Sequence, residues 1–159
     1  MTRISCLAAS LLLACGPSTV ADPQNPPMGD ADLFQWLEAG HYKKWSCEPA
    51  PHDARAPSPH SKNRVCSNAK LSAAGAGEYP VDSASVKELF DATGTMMIGR
   101  DVARHVKAGT TEDTWYWYSR FGATVTADGI AAPRCNGCHS AAGSDADHPG
   151  HDYAYTQVK

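Results

Sequence analysis

Cys135-Asn136-Gly137-Cys138-His139 stands twenty residues from the end of a 159-residue chain, and few five-residue strings constrain a fold as tightly. On one helical turn, positions i, i+3 and i+4 share a face, so two thiols and one imidazole reach a single partner from the same side. C-x-x-C-H is the spacing of covalent haem attachment, in which the thiols form thioethers to two vinyl groups and the imidazole ligates the iron. The expected cofactor is one covalent haem c, bound by Cys135, Cys138 and His139, with His139 as the axial iron ligand. Two other readings use the same residues. A thioredoxin-like redox pair wants a strand-to-helix entry in a larger α/β domain, and a zinc half-site wants a second pair of ligands.

The opposite end of the chain bears on compartment. Residues 1–14 carry one charge, Arg3, followed by eleven largely apolar positions, which fits a secretory signal and is too short to span a bilayer. Leu12-Leu13-Ala14-Cys15-Gly16 resembles the lipobox of bacterial lipoproteins, which implies cleavage before Cys15 and its lipidation. The alternative is an ordinary signal peptide cleaved nearby. Acyl chains on one residue would hold the chain at a membrane surface. By resemblance to Gram-negative lipoproteins, Gly16 in place of Asp implies the periplasmic side of the outer membrane. Residues 15–29 then form a lipidated, Pro-rich tether of at most ~40 Å, at ~3.1 Å per residue, and 30–159 form the domain. Without residues 1–14 the chain holds 13 basic and 17 acidic side chains and no basic run, so nucleic acid is not an expected partner.

Removing Cys6 and Cys15 leaves Cys47 and Cys66 outside the C-x-x-C-H string. In an oxidising periplasm they are expected to pair, pinning a Pro-rich interval with little apolar content. The alternative is two free thiols awaiting metal with His52 and His60.

Asp30 to Trp45 places Leu33, Phe34, Leu37 and His41 on one stripe behind Asp30 or Asp32 as N-cap, which predicts an amphipathic helix. Thr114 to Phe121 puts Trp115 and Trp117 on one face and Tyr116 and Tyr118 on the other, as in a strand covered on both sides. Thr95 to Lys107 fits either helix or strand. So does Ser83 to Asp91, where Ser85 and Glu88 can form a capping box while Val86 favours a strand.

A C-x-x-C-H string this late in the chain, behind an aromatic strand and Pro/Gly-rich loops, resembles the mostly β family that contains cytochrome c prime-beta and the lysine-crosslinked cytochrome P-four-sixty. The four long helices of cytochromes c prime fit it less well. The likeness runs over most of 40–159: Trp45 and Glu48, Ser58-Pro59-His60, Arg64-Val65 and Asn68, Tyr79-Pro80, Val86-Lys87-Glu88-Leu89, and Trp115-Tyr116-Trp117-Tyr118. It implies an α+β fold, mainly antiparallel β-sheet with an N-terminal helix and a short C-terminal haem-binding helix. It also implies a homodimer, and it places Lys87 where hydroxylamine-oxidising members crosslink a lysine to the haem. The plainer reading of Lys87 is a solvated side chain on an amphipathic segment.

The sixth iron position separates the functional readings, and the family resemblance implies that it is open, in an apolar pocket. Met96 and Met97 are thioether candidates, otherwise core filler; His60 and His105 are expected to be solvated, and His148 and His151 to form a surface turn. Trp115, Trp117, Tyr116, Tyr118 and Phe121 are expected to wall the haem or fill the sheet core. The first reading is periplasmic electron transfer with a redox partner protein. The second is a P-four-sixty-like oxidoreductase or sensor binding hydroxylamine or nitric oxide at open iron. The third is a haem-free structural lipoprotein with Cys135 bridged to Cys138.

Overall fold

The computed structural model describes residues 25–56, 58–60, 62–144 and 146–159, so residues 1–14, expected to be an export signal, and Cys15, the expected lipidation site, lie outside the described residues. Six strands, β1 (Ser46–Cys47), β2 (Asn63–Ser67), β3 (Ala84–Phe90), β4 (Met97–His105), β5 (Trp115–Phe121) and β6 (Thr124–Ile130), form one sheet in chain order. Every neighbouring pair is antiparallel. Helices α1 (Asp30–Glu38), α2 (Ala69–Ala73) and α3 (Pro133–His139) complete the α+β fold. As expected, the chain is mainly antiparallel sheet with an N-terminal helix and a short C-terminal one.

Strand β5 shows why the sheet is covered on both sides. Tyr116 and Tyr118 join Val86, Val102 and Cys66 in a core closed by Leu33, Trp36 and Leu37 of α1. Trp115 and Trp117 point the other way and pack with Leu71, Tyr79, Ala103 and Ala154. Period-two alternation thus feeds two apolar layers from one strand.

The two ambiguous windows are both strands and pair with each other, Val86 opposite Val102 and Lys87 opposite Asp101. The capping box does not form. Glu88 instead accepts from Tyr42 Oη at 2.6 Å and from Arg64 Nε at 2.8 Å. Cross-strand partners decided what local propensity left open.

The first helix is shorter than the periodicity predicts. It stops at Glu38, Gly40 takes a left-handed conformation (φ 70°), and a 3-10 turn covers His41–Lys44. Its buried stripe is Leu33, Trp36 and Leu37, while His41 is exposed and Phe34 lies under the Arg120 guanidinium at 3.9 Å. Gly29, not Asp30, is the N-cap; the Asp30 carboxylate accepts from Tyr118 Oη at 2.6 Å and Arg120 Nη1 at 2.9 Å. The residues just before α1 are docked as well, with Pro26 O accepting from Arg104 and the Gly29 N–H donating to Tyr116 Oη.

Cys47 and Cys66 face each other across β1 and β2 and are disulfide-bonded, which removes the two-thiol metal reading with His52 and His60. Replacing both by Ala is expected to lower the unfolding free energy by about 3 kcal/mol. An unchanged denaturant midpoint would contradict that.

Candidate functional site

Strand β6 runs into α3 through Ala131, whose φ of 54° turns the chain back over the sheet. Pro133 opens the helix, where its missing N–H costs nothing. This seven-residue helix carries Cys135, Cys138 and His139 at i, i+3 and i+4. Both cysteines are free thiols, Cys135 half-buried against the Trp115/Trp117 core and Cys138 exposed.

All three residues line one cleft of roughly 730 Å³, including its open mouth, between α3 and the sheet. Its other walls include His60, Lys87, Asp101, Trp117 and Phe121. A second cleft shares His60, Lys87, Cys138 and His139 with the first and continues past His148 and Tyr155.

His139 is held firmly. Its Nδ1 donates to the Tyr153 carbonyl at 2.6 Å, since a carbonyl can only accept, and the ring lies 4.5 Å from Trp117 and 5.4 Å from Tyr155. Tyr153 delivers that carbonyl from a left-handed conformation (φ 56°), a strain that sites tolerate when the surroundings fix it. The lone pair of the neutral ring is then on Nε2, the form a metal ligand needs. Burial, reinforced by the Lys87 charge, pushes the His139 pKa down to about 4. The unfolded chain binds this proton near 6.5 and the folded chain only near 4, so the cofactor-free polypeptide is expected to lose stability as pH falls between those values. His139→Gln should flatten that part of the Tm-versus-pH curve; an identical curve would contradict the assignment.

Lys87 is not a solvated lysine. It lines both clefts beside His139, opposite Asp101 on β4, and desolvation by burial lowers its pKa. His60 corrects its expectation too. It is half-buried in the cleft, with Nδ1 2.8 Å from Asp101 Oδ2.

Met96 and Met97 do not reach the cleft and are not core filler either. They are 61% and 38% exposed on the turn into β4, and Met97 borders a groove on the α1 side of the sheet. His105 is fully buried against Trp115 with Nε2 3.0 Å from Gly109 O. His148 and His151 lie on a turn, as expected, but pack on Tyr155 and Tyr79. Of the aromatics, Trp117 and Phe121 line the cleft on the site face, Trp115 fills the core behind it, and the Tyr116 and Tyr118 hydroxyls bond to Asp128 and Asp30 on the opposite face.

Asp101 and Tyr153 were missed from sequence. Asp101 shares a face with Ala103 only once β4 is known to be a strand, and Tyr153 contributes a backbone carbonyl, which no side-chain pattern reveals.

Other uses of the C-x-x-C pair fit less well. Burial raises the Cys135 pKa to about 11, opposite to the depressed thiol of a redox-active pair. The Cys135–Cys138 bridge of the structural reading is not formed. Among the described residues no group of three or more His, Cys, Asp or Glu side chains converges on a metal-ion site. Comparison of the chain with protein-family models, curated proteins and solved structures finds no match.

Proposed function

We propose that this chain is a monohaem c-type cytochrome domain, exported as a lipoprotein on Cys15 to the periplasmic side of the outer membrane, and that it transfers electrons to a partner protein. One observation carries the reading: two free thiols and an imidazole with its Nε2 lone pair available line a single aromatic-walled cleft. Cys135 and Cys138 would hold the haem as thioethers, formed by adding S–H across its two vinyl groups, which needs no oxidant. When bound, the haem supplies a one-electron ferric/ferrous couple. His139 would hold the iron through Nε2, and the Tyr153 carbonyl fixes its tautomer and ring orientation and raises its basicity. Trp117 and Phe121 exclude water on the sheet side. Haem staining of the denatured mature protein, after co-expression with a cytochrome c maturation system, tests the reading. A stained band supports it, and an unstained one leaves the structural-lipoprotein reading.

The position of Lys87 favours a second reading, the resemblance to cytochrome P-four-sixty, with an oxidoreductase or sensor acting on hydroxylamine or nitric oxide. An amine kept from water and lowered in pKa is a better nucleophile than a solvated one, and Lys87 sits in the same cleft as the thiols. That reading predicts a haem peptide in which Lys87 Nζ has replaced a hydrogen of the haem ring, with two protons and two electrons passing to an added oxidant such as a peroxide, so that the Lys87 segment is joined to the Cys135–Cys138 segment. Peptide masses showing Lys87 unlinked, with an ordinary c-type spectrum, remove it.

A further inference from the structure

We propose that His60 is the second axial ligand of the iron, opposite His139. The inference rests on the haem reading above and deepens it. The two rings lie 6.5 Å apart, centroid to centroid. An imidazole nitrogen sits about 2 Å from the metal it binds, so two rings flanking one metal ion hold their centroids roughly 6 Å apart. The centroid separation is the one that two imidazoles sharing a metal would need.

Tautomers point the same way. A metal-ligating histidine presents one ring nitrogen to the metal and gives the other N–H to a carboxylate or backbone carbonyl. His139 Nδ1 is bonded to the Tyr153 carbonyl, and His60 Nδ1 lies 2.8 Å from the Asp101 carboxylate. Each ring makes this polar contact through Nδ1, which leaves Nε2 as the nitrogen to offer a metal. Both histidines line both clefts, one arriving from the β1–β2 loop and the other from α3, so they approach from separate elements.

Asp101 gains a role here. Neither of its buried carboxylate oxygens meets hydrogen-bond geometry, and its close neighbours are His60 and, across the strand pair, Lys87. Its Oδ2 lies 2.8 Å from His60 Nδ1, close enough to take up that N–H once the ring turns to the metal, which makes Asp101 a positioning residue. The exposed Met96 and Met97 leave no thioether in this cleft among the described residues.

The test uses the full haem-loaded chain. Wild-type ferric protein is expected to give the low-spin electron paramagnetic resonance signature of two imidazoles, and the ferrous form to resist carbon monoxide. His60→Ala is expected to turn high-spin and bind carbon monoxide at least tenfold more tightly, with added imidazole restoring the low-spin signal. Asp101→Asn, which keeps His60, should give a mixture of spin states. Should His60→Ala fail to fold, the wild-type signal and Asp101→Asn still decide. A stained, haem-bearing wild type that is high-spin at rest, or whose low-spin signal survives His60→Ala and vanishes in Lys87→Ala, overturns His60 ligation while leaving the haem reading intact. An unstained wild type overturns both.

Discussion

A Cys135→Ala/Cys138→Ala chain, matured beside the wild type, is expected to emerge with no covalent pigment. On the proposed reading each thiol would supply one of two thioethers, and both lie in the same cleft as the imidazole. Single replacements should retain one link and reduced staining, whereas the double variant retains only the His139 bond, which denaturation breaks. The fold itself should survive. Cys138 is exposed and Cys135 sits at the rim of its core, so their loss removes little buried apolar area. The paired measurement is haem staining after denaturation together with the far-ultraviolet dichroism of the native chain. Staining equal to wild type in the double variant would contradict the role given to these thiols.

The second large effect concerns stability. Trp115 is fully buried and packs with Trp117 at 5.8 Å, His105 at 5.0 Å and Tyr79 at 6.3 Å. Trp115→Ala should cost about 3–5 kcal/mol through lost burial and the cavity left behind. The same change should loosen the site, because Trp117 rests on Trp115 and lies 4.5 Å from His139. Met96→Ala, at a position 61% exposed, should stay within about 0.5 kcal/mol of wild type. A lowered denaturant midpoint at constant slope for Trp115→Ala alone checks this. Equal midpoints for the two variants would contradict the packing argument.

These residues also mark how far sequence reading reaches. Trp115-Tyr116-Trp117-Tyr118 announced a strand covered on both faces because large side chains alternating with period two leave no polar face to solvate. Cys47 and Cys66 were legible as a pair by elimination, and the structure adds that they are cross-strand neighbours. The β3 and β4 windows were not legible, since their pairing partners are distant in sequence. That ambiguity hid the site as well. Once β3 and β4 are strands in register, Lys87 and Asp101 fall on the face that α3 covers, and a lysine that reads as solvated becomes a cleft residue. The His41 error has a local cause: Gly40 adopts the left-handed conformation that ends a helix, and the apparent stripe stops there.

His60 and His105 show a further limit. His60 lies in a polar loop and His105 between Arg104 and Lys107, and the sequence reading assigns both to solvent. The fold instead draws His60 beside Asp101 and buries His105 under Trp115. A buried histidine is placed by tertiary partners that hydropathy cannot see.

The account turns on one covalent haem at the α3 cleft, and the intact mass of the mature chain purified under denaturing conditions tests it most directly. The prediction is a mass raised by a single haem in wild type and not in Cys135→Ala/Cys138→Ala. A wild-type chain with full cytochrome maturation available and no mass beyond polypeptide and lipid would contradict it.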